Sequence, residues 1–118
     1  MRLDSKKCTP CEAGTPPMSR DEIKARLKDV PGWDVNDRGR LTRTFKYDTF
    51  MNALTQLNRV ADLAEKEGHH PDICLMDYNT LKVSLWTHAS KGLTENDFIM
   101  AAKINKELPE QTTPAINR

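Results

Sequence analysis

The sequence predicts an α+β domain in which a four-stranded antiparallel sheet is covered by helices on one face. Three observations carry this expectation. Segments of extended character come in adjacent pairs, 33–35 with 41–47 and 73–78 with 80–88, each pair joined by a short polar turn. Segments with apolar residues at three- and four-residue spacing stand before, between and after those pairs. With 118 residues, 37% of them hydrophobic, the chain has material for one modest core and none for a second domain.

The elements follow in order. Residues 1–18 hold Cys8-Thr-Pro-Cys11 and then Gly14, Pro16 and Pro17 without periodicity, which reads as a loosely ordered arm packed on the domain. The domain proper is expected over 19–109, and 110–118 as a frayed tail. Ser19-Arg-Asp-Glu22 has the form of a capping box and opens a helix with Ile23, Leu27 and Val30 on its apolar stripe, stopped by Pro31-Gly32. Trp33–Val35, a turn at Asn36–Gly39 and Leu41–Tyr47 read as a hairpin with Leu41, Arg43, Phe45 and Tyr47 facing inward. Asp48 or Thr49 caps the longest helix, about 49–67, with Phe50, Leu54, Leu57, Val60, Ala61 and Ala64 as its apolar stripe. Gly68 ends it in the left-handed conformation, so that His69 and His70 leave in a fixed direction, and Pro71 starts an extended run. Ile73–Tyr78 and Thr80–His88 read as two strands, with Leu81, Val83 and Leu85 on one side and Lys82, Ser84, Trp86 and His88 on the other. Thr94 caps a last helix that buries Phe98, Ile99, Ala102 and Ile104 and ends at Pro109.

Composition narrows the function. Lys and Arg number 18 against 17 Asp and Glu, a formal charge of +1, and no basic stripe is interleaved with aromatics; direct nucleic-acid binding is not expected. No apolar run has signal-peptide form at the N-terminus or membrane-spanning length elsewhere, so a cytoplasmic protein is expected. Three cysteines do not make a disulfide framework. Cys8 and Cys11 are half a zinc site, with only Cys74 to add, and the pair does not open a helix as a redox motif would; a structural arm is the expectation, with no metal.

All three histidines of the chain, His69, His70 and His88, fall within twenty residues where a helix ends and two extended segments meet. Histidine titrates near neutral pH, so the cluster points to proton transfer. His69 and His70 are adjacent and in an extended chain point to opposite faces, which disfavours chelation of one ion. Asp97, third in its helix, either orients an imidazole or serves only the helix dipole. Glu65 is either part of the site or a solvated helix residue, Tyr78 either a ligand contact or packing, and Trp86 either the wall of a flat-ligand pocket or a packed edge residue.

Glu65, His69-His70-Pro71, Tyr78, His88 and Asp97 at these spacings, with Pro31-Gly32-Trp33 after the first helix and Gly92-Leu93-Thr94 before the last, resemble the pterin-4a-carbinolamine dehydratase family, also known as the dimerization cofactor of a homeodomain transcription factor. The resemblance runs over about residues 19–108 and implies the α+β fold above, assembled as a homodimer or homotetramer. It implies elimination of water from a 4a-hydroxytetrahydropterin to give the quinonoid dihydropterin, recycling the pterin used by an aromatic amino-acid hydroxylase, without metal or other cofactor. His69 and His88 would then be general acids, His70 chiefly a substrate ligand, Asp97 a supporting residue and Glu65 an auxiliary one. Two alternatives stay open: a pterin-binding or protein-interaction module of the same fold without turnover, and action on a molybdopterin-related pterin.

Overall fold

The computed structural model describes residues 2–9 and 16–108. Cys11, with the rest of 10–15, and the expected tail beyond 108, Pro109 included, lie outside the described residues. In order the elements are a 3-10 turn Leu3–Ser5, α1 Arg20–Leu27, β1 Asp34–Val35, β2 Leu41–Lys46, α2 Phe50–Glu67, β3 Asp72–Met76, β4 Thr80–Leu85, a second 3-10 turn His88–Ser90, and α3 Glu95–Glu107. The four strands form one antiparallel sheet in the order β1-β2-β4-β3, so the second hairpin enters with β4 inside and β3 at the edge. α2 packs on β3 and β4 and against α3, which gives the expected α+β layering.

The core follows the alternation of the strands. Leu41, Phe45 and Tyr47 from one hairpin and Leu81, Val83 and Leu85 from the other are buried, and α3 closes over them with Phe98, Met100, Ala101 and Ile104. Arg43 shares the inward face but reaches the rim, where its guanidinium lies 4.3 Å from the Phe45 ring centre and donates to Asn105. Asn105 also accepts from the Trp33 indole at 2.8 Å, fixing the Pro31-Gly32-Trp33 corner against α3.

Several boundaries differ from the sequence expectation for local reasons. β4 stops at Leu85 rather than His88, because Thr87 pairs with Gly92 across a tight loop whose Lys91 is left-handed (φ 54°). His88 therefore opens a 3-10 turn and is not a strand residue. β3 ends at Met76 rather than Tyr78, because Asp77 and Tyr78 both take positive φ (51° and 58°) in the three-residue turn Asp77–Asn79 into β4. β1 is only Asp34–Val35, Trp33 being a buried corner residue. Phe50 was expected on the buried stripe of α2, yet it is 49% exposed in the first turn; the buried line runs through Ala53, Gln56, Val60 and Ala64. α1 has the expected capping box, Ser19 with Glu22, but Ile23 and Leu27 are only half-buried against the core.

Candidate active site

Two helix ends and one strand end supply the site. α2 runs to Glu67 and closes on Gly68, whose φ of 66° is the left-handed cap; the amides of Gly68 and His69 both donate to the Ala64 carbonyl. That closure aims His69 at the first turn of α3, where Asp97 is fully buried. The His69 Nε2 stands 2.6 Å from Asp97 Oδ1. The other oxygen, Oδ2, accepts from the Thr87 hydroxyl at 2.8 Å and from the Thr94 amide at 3.0 Å. Thr87 has one hydroxyl proton and gives it to Asp97, so across the 2.9 Å contact between the two threonine hydroxyls Thr94 is the donor. With Oδ2 turned to two donors and Oδ1 to the imidazole, the ring presents Nε2–H to the carboxylate and Nδ1 is the nitrogen available to a ligand. One carboxylate thus caps α3 through one oxygen and meets a histidine with the other.

His70 turns the other way. Its Nε2 lies 2.8 Å from Glu65 Oε1, both side chains being exposed. Adjacent histidines thus take separate carboxylates, as opposite-facing residues should. Among the described residues no group of three or more His, Cys, Asp or Glu side chains is placed to hold a metal ion.

His88 follows Thr87, so the Asp97 carboxylate ties the chain beside His88 to the same point that holds His69. The exposed His88 ring meets the half-buried Trp86 indole edge to face, centroids 4.6 Å apart and planes at 81°. The Arg40 guanidinium lies 5.3 Å from the Trp86 ring centre and is paired with Asp72 at 3.2 Å. Since Asp72 opposes Ser84 and Leu41 opposes Leu85 in the sheet, the starts of β2 and β3 and the end of β4 lie at one end, and His70 and Trp86 share it. Tyr78 is at the opposite end of the β3–β4 hairpin, roughly 20 Å along the strands, and within one chain the structure does not bring it to the histidines.

Sequence reasoning missed Thr87 and Glu67. Thr87 continues the inward alternation of Leu81, Val83 and Leu85, and a hydroxyl on a core-facing position beside a histidine is a legible signal of a buried polar partner. Glu67, on the last turn of α2, has its side chain 6% exposed and is paired with Lys103 at 3.2 Å.

A model of the family described as "Pterin 4 alpha carbinolamine dehydratase" matches residues 16–107. The chain belongs to that family. A relative in Arabidopsis thaliana, named pterin-4-alpha-carbinolamine dehydratase 2, mitochondrial, is 47% identical in an alignment that covers 88% of this chain and 58% of that one. A second relative, from Alkaliphilus metalliredigens and provisionally named for the same activity, is 46% identical over 92% of this chain and 97% of its own length. Among solved structures, the transcriptional coactivator/pterin dehydratase of Brucella melitensis superposes with a TM-score of 0.71 at 36% identity, covering 76% of this chain and 96% of that one. Every histidine, carboxylate and threonine of the constellation lies inside the segment that the family model matches.

Proposed function

We propose that this dehydratase removes water from a 4a-hydroxytetrahydropterin, giving the quinonoid dihydropterin and returning the pterin of an aromatic amino-acid hydroxylase to its cycle. The observation that carries the assignment of roles is the buried Asp97 carboxylate, with His69 on one oxygen and the Thr87–His88 segment on the other. Hydroxide leaves a carbinolamine poorly. Once the 4a-oxygen is protonated, the C4a–O bond breaks with its electron pair on departing water, the lone pair of the adjacent ring nitrogen fills the vacancy at C4a, and a ring N–H proton passes to a base. His69 and His88 are the proton donors in this reading, which contributes on the order of a hundredfold or more. His70, steadied by Glu65, binds the polar edge of the pterin, and Trp86 supplies a flat apolar wall beside His88. Tyr78 has no part in this assignment within one chain.

The proposal extends to the setting. Residues 19–109 form the dehydratase domain, 1–18 its arm and 110–118 its tail, and the chain works in the cytoplasm as a homodimer or homotetramer. No helix among the described residues is long and apolar enough to cross a membrane. Exposed Phe50, Met51, Val35 and Met76 support an oligomer, which would cover apolar surface left open in one chain.

The test is the decay of freshly generated 4a-hydroxytetrahydropterin, followed by ultraviolet absorbance, with and without the full chain after chelator treatment. Acceleration that survives chelation supports the assignment. Pterin bound without acceleration would replace it with a binding module.

A further inference from the structure

The short arm at the N-terminus crosses the same two helix ends that the His69–Asp97 hydrogen bond joins. Leu3 anchors it by burial beside α3. Further along, the Cys8 amide donates to Glu67 Oε1 at 2.9 Å, on the last residue of α2 and two residues before His69. The Thr9 amide donates to Asn96 Oδ1 at 3.0 Å, and Asn96 Nδ2 donates back to the Thr9 carbonyl at 2.5 Å. Asn96 is buried and immediately precedes Asp97. Two more contacts reach the first turn of α3: the Cys8 thiol to the Asn96 carbonyl at 3.6 Å and Lys6 Nζ to Glu95 at 2.7 Å. Glu67 is fixed from its other side by Lys103 of α3.

We infer that Lys6–Thr9 is a positioning strap for the His69–Asp97 pair. It grips the chain neighbours of both partners, Glu67 before the histidine and Asn96 before the aspartate, and so sets the separation of the ends of α2 and α3 that the imidazole must span. The imidazole–carboxylate contact of 2.6 Å is weakened once the two helix ends part by more than about 0.6 Å, since N–H···O contacts weaken as they lengthen past about 3.2 Å. Without the strap, that separation would rest on helix packing, on the Glu67–Lys103 ion pair and on the hydrogen bond itself. The role is positioning and not catalysis, because none of Lys6, Cys8, Thr9 or Asn96 meets the imidazole or its carboxylate side chain directly in the contacts described. The inference rests on the functional reading of His69 given above.

Three full-length variants test it. Thr9→Pro removes the amide that meets Asn96 while leaving α3 intact, Asn96→Ala removes the partner, and Thr9→Ala keeps both backbone groups. Thr9→Pro and Asn96→Ala should lower kcat about five- to tenfold with KM within twofold, since a small misplacement of a reacting group suffices for such a loss. In the same two variants the His69 ring nitrogen resonances should shift from those of a ring held in one tautomer, while Thr9→Ala matches wild type in both. Should Asn96→Ala fail to fold, Thr9→Pro decides alone. Wild-type kcat and wild-type His69 resonances in Thr9→Pro would overturn the strap. Absence of turnover in the wild-type chain would instead count against the dehydratase assignment, and the His69 resonances would still judge the strap.

Discussion

Replacing Asp97 by Asn separates the two tasks of one carboxylate. The amide has one acceptor oxygen, and the Thr94 amide and the Thr87 hydroxyl both need it, so the oxygen turns to them and the NH2 turns to His69. That NH2 is a donor facing Nε2, where the native ring presents its own N–H. The neutral ring can answer by moving its proton to Nδ1. The protonated ring cannot, because it carries a proton on both nitrogens, and it now meets a donor in place of a carboxylate. A hydrogen bond to a charged group contributes about 1.5–3 kcal/mol. If that stabilisation of the protonated ring is what makes His69 a usable acid, its loss lowers kcat by roughly 10- to 150-fold at one decade per 1.4 kcal/mol. The cap of α3 survives through the amide oxygen, so the fold should lose no more than about 1–3 kcal/mol. Stopped-flow absorbance of 4a-hydroxytetrahydropterin decay gives kcat, and a thermal melt gives the fold. An Asp97→Asn protein that folds and turns over at the wild-type rate would show that the carboxylate only caps the helix.

The remaining predictions follow from neighbouring residues. His69→Ala and His88→Ala should each lower kcat by on the order of a hundredfold, and the double variant should approach the spontaneous rate; His70→Ala should act mainly on KM. Wild-type turnover in the double variant would remove the proton-donor assignment. Gly68→Ala meets no atom within 4 Å, so its cost is the left-handed backbone alone, about 1 kcal/mol, or a melting temperature lower by roughly 4–8 °C; an unchanged melt would contradict the cap. Burial and, for Cys8, the nearby Glu67 carboxylate push the Cys8 thiol from 9.0 up to about 12, and burial pushes the Tyr47 phenol from 10.0 up to about 12. In both groups the folded state keeps the proton that the unfolded chain gives up first. Their contribution to stability is therefore full below about pH 9 and is lost as the pH rises toward 12. Melting temperature should fall across that window, and less steeply in Cys8→Ala/Tyr47→Phe; equal slopes would refute the linkage. Because the buried Tyr47 hydroxyl has no hydrogen-bond partner among the described residues, Tyr47→Phe alone should leave stability at pH 7 unchanged or raise it by about 1 kcal/mol, and a clear fall in the melting temperature would show a missed partner.

Local rules made much of this legible. The Ser19–Glu22 box, the Gly68 stop and the alternation of Leu41 to Tyr47 and Leu81 to Leu85 each place a residue by chemistry within a few positions of it, and each is found where that chemistry puts it. Contacts between distant segments were out of reach. Nothing local says that Thr87 would leave its strand to pair with Gly92 and offer its hydroxyl to Asp97. The exposure of Phe50 is of the same kind: periodicity says which residues share a stripe, but only packing selects the buried one, which runs through Ala53, Gln56, Val60 and Ala64 and leaves Phe50 out. The arm is the largest omission, since its hold on Glu67 and Asn96 spans 59 and 87 residues of sequence and no motif announces it.

Asp97 can cap a helix and meet a histidine at once because the two arrangements need the same thing. A carboxylate with no exposed surface must have its lone pairs met, and here they are met by a helix amide, a loop hydroxyl and an imidazole. The cap fixes where the carboxylate sits, and a group fixed by its fold requires no reorganisation when a neighbouring ring gains or loses a proton. The same economy explains the placement of the other groups. Helix ends carry unsatisfied backbone groups and abrupt changes of direction, so a glycine stop can aim His69 and a first helical turn can seat Asp97 without a dedicated scaffold. The cost of that arrangement is coupling: a change that disturbs either helix end reaches the site, whatever its distance from bound pterin. Glu67 and Asn96, which touch neither His88 nor Trp86 in the contacts described, are where that coupling should be most visible.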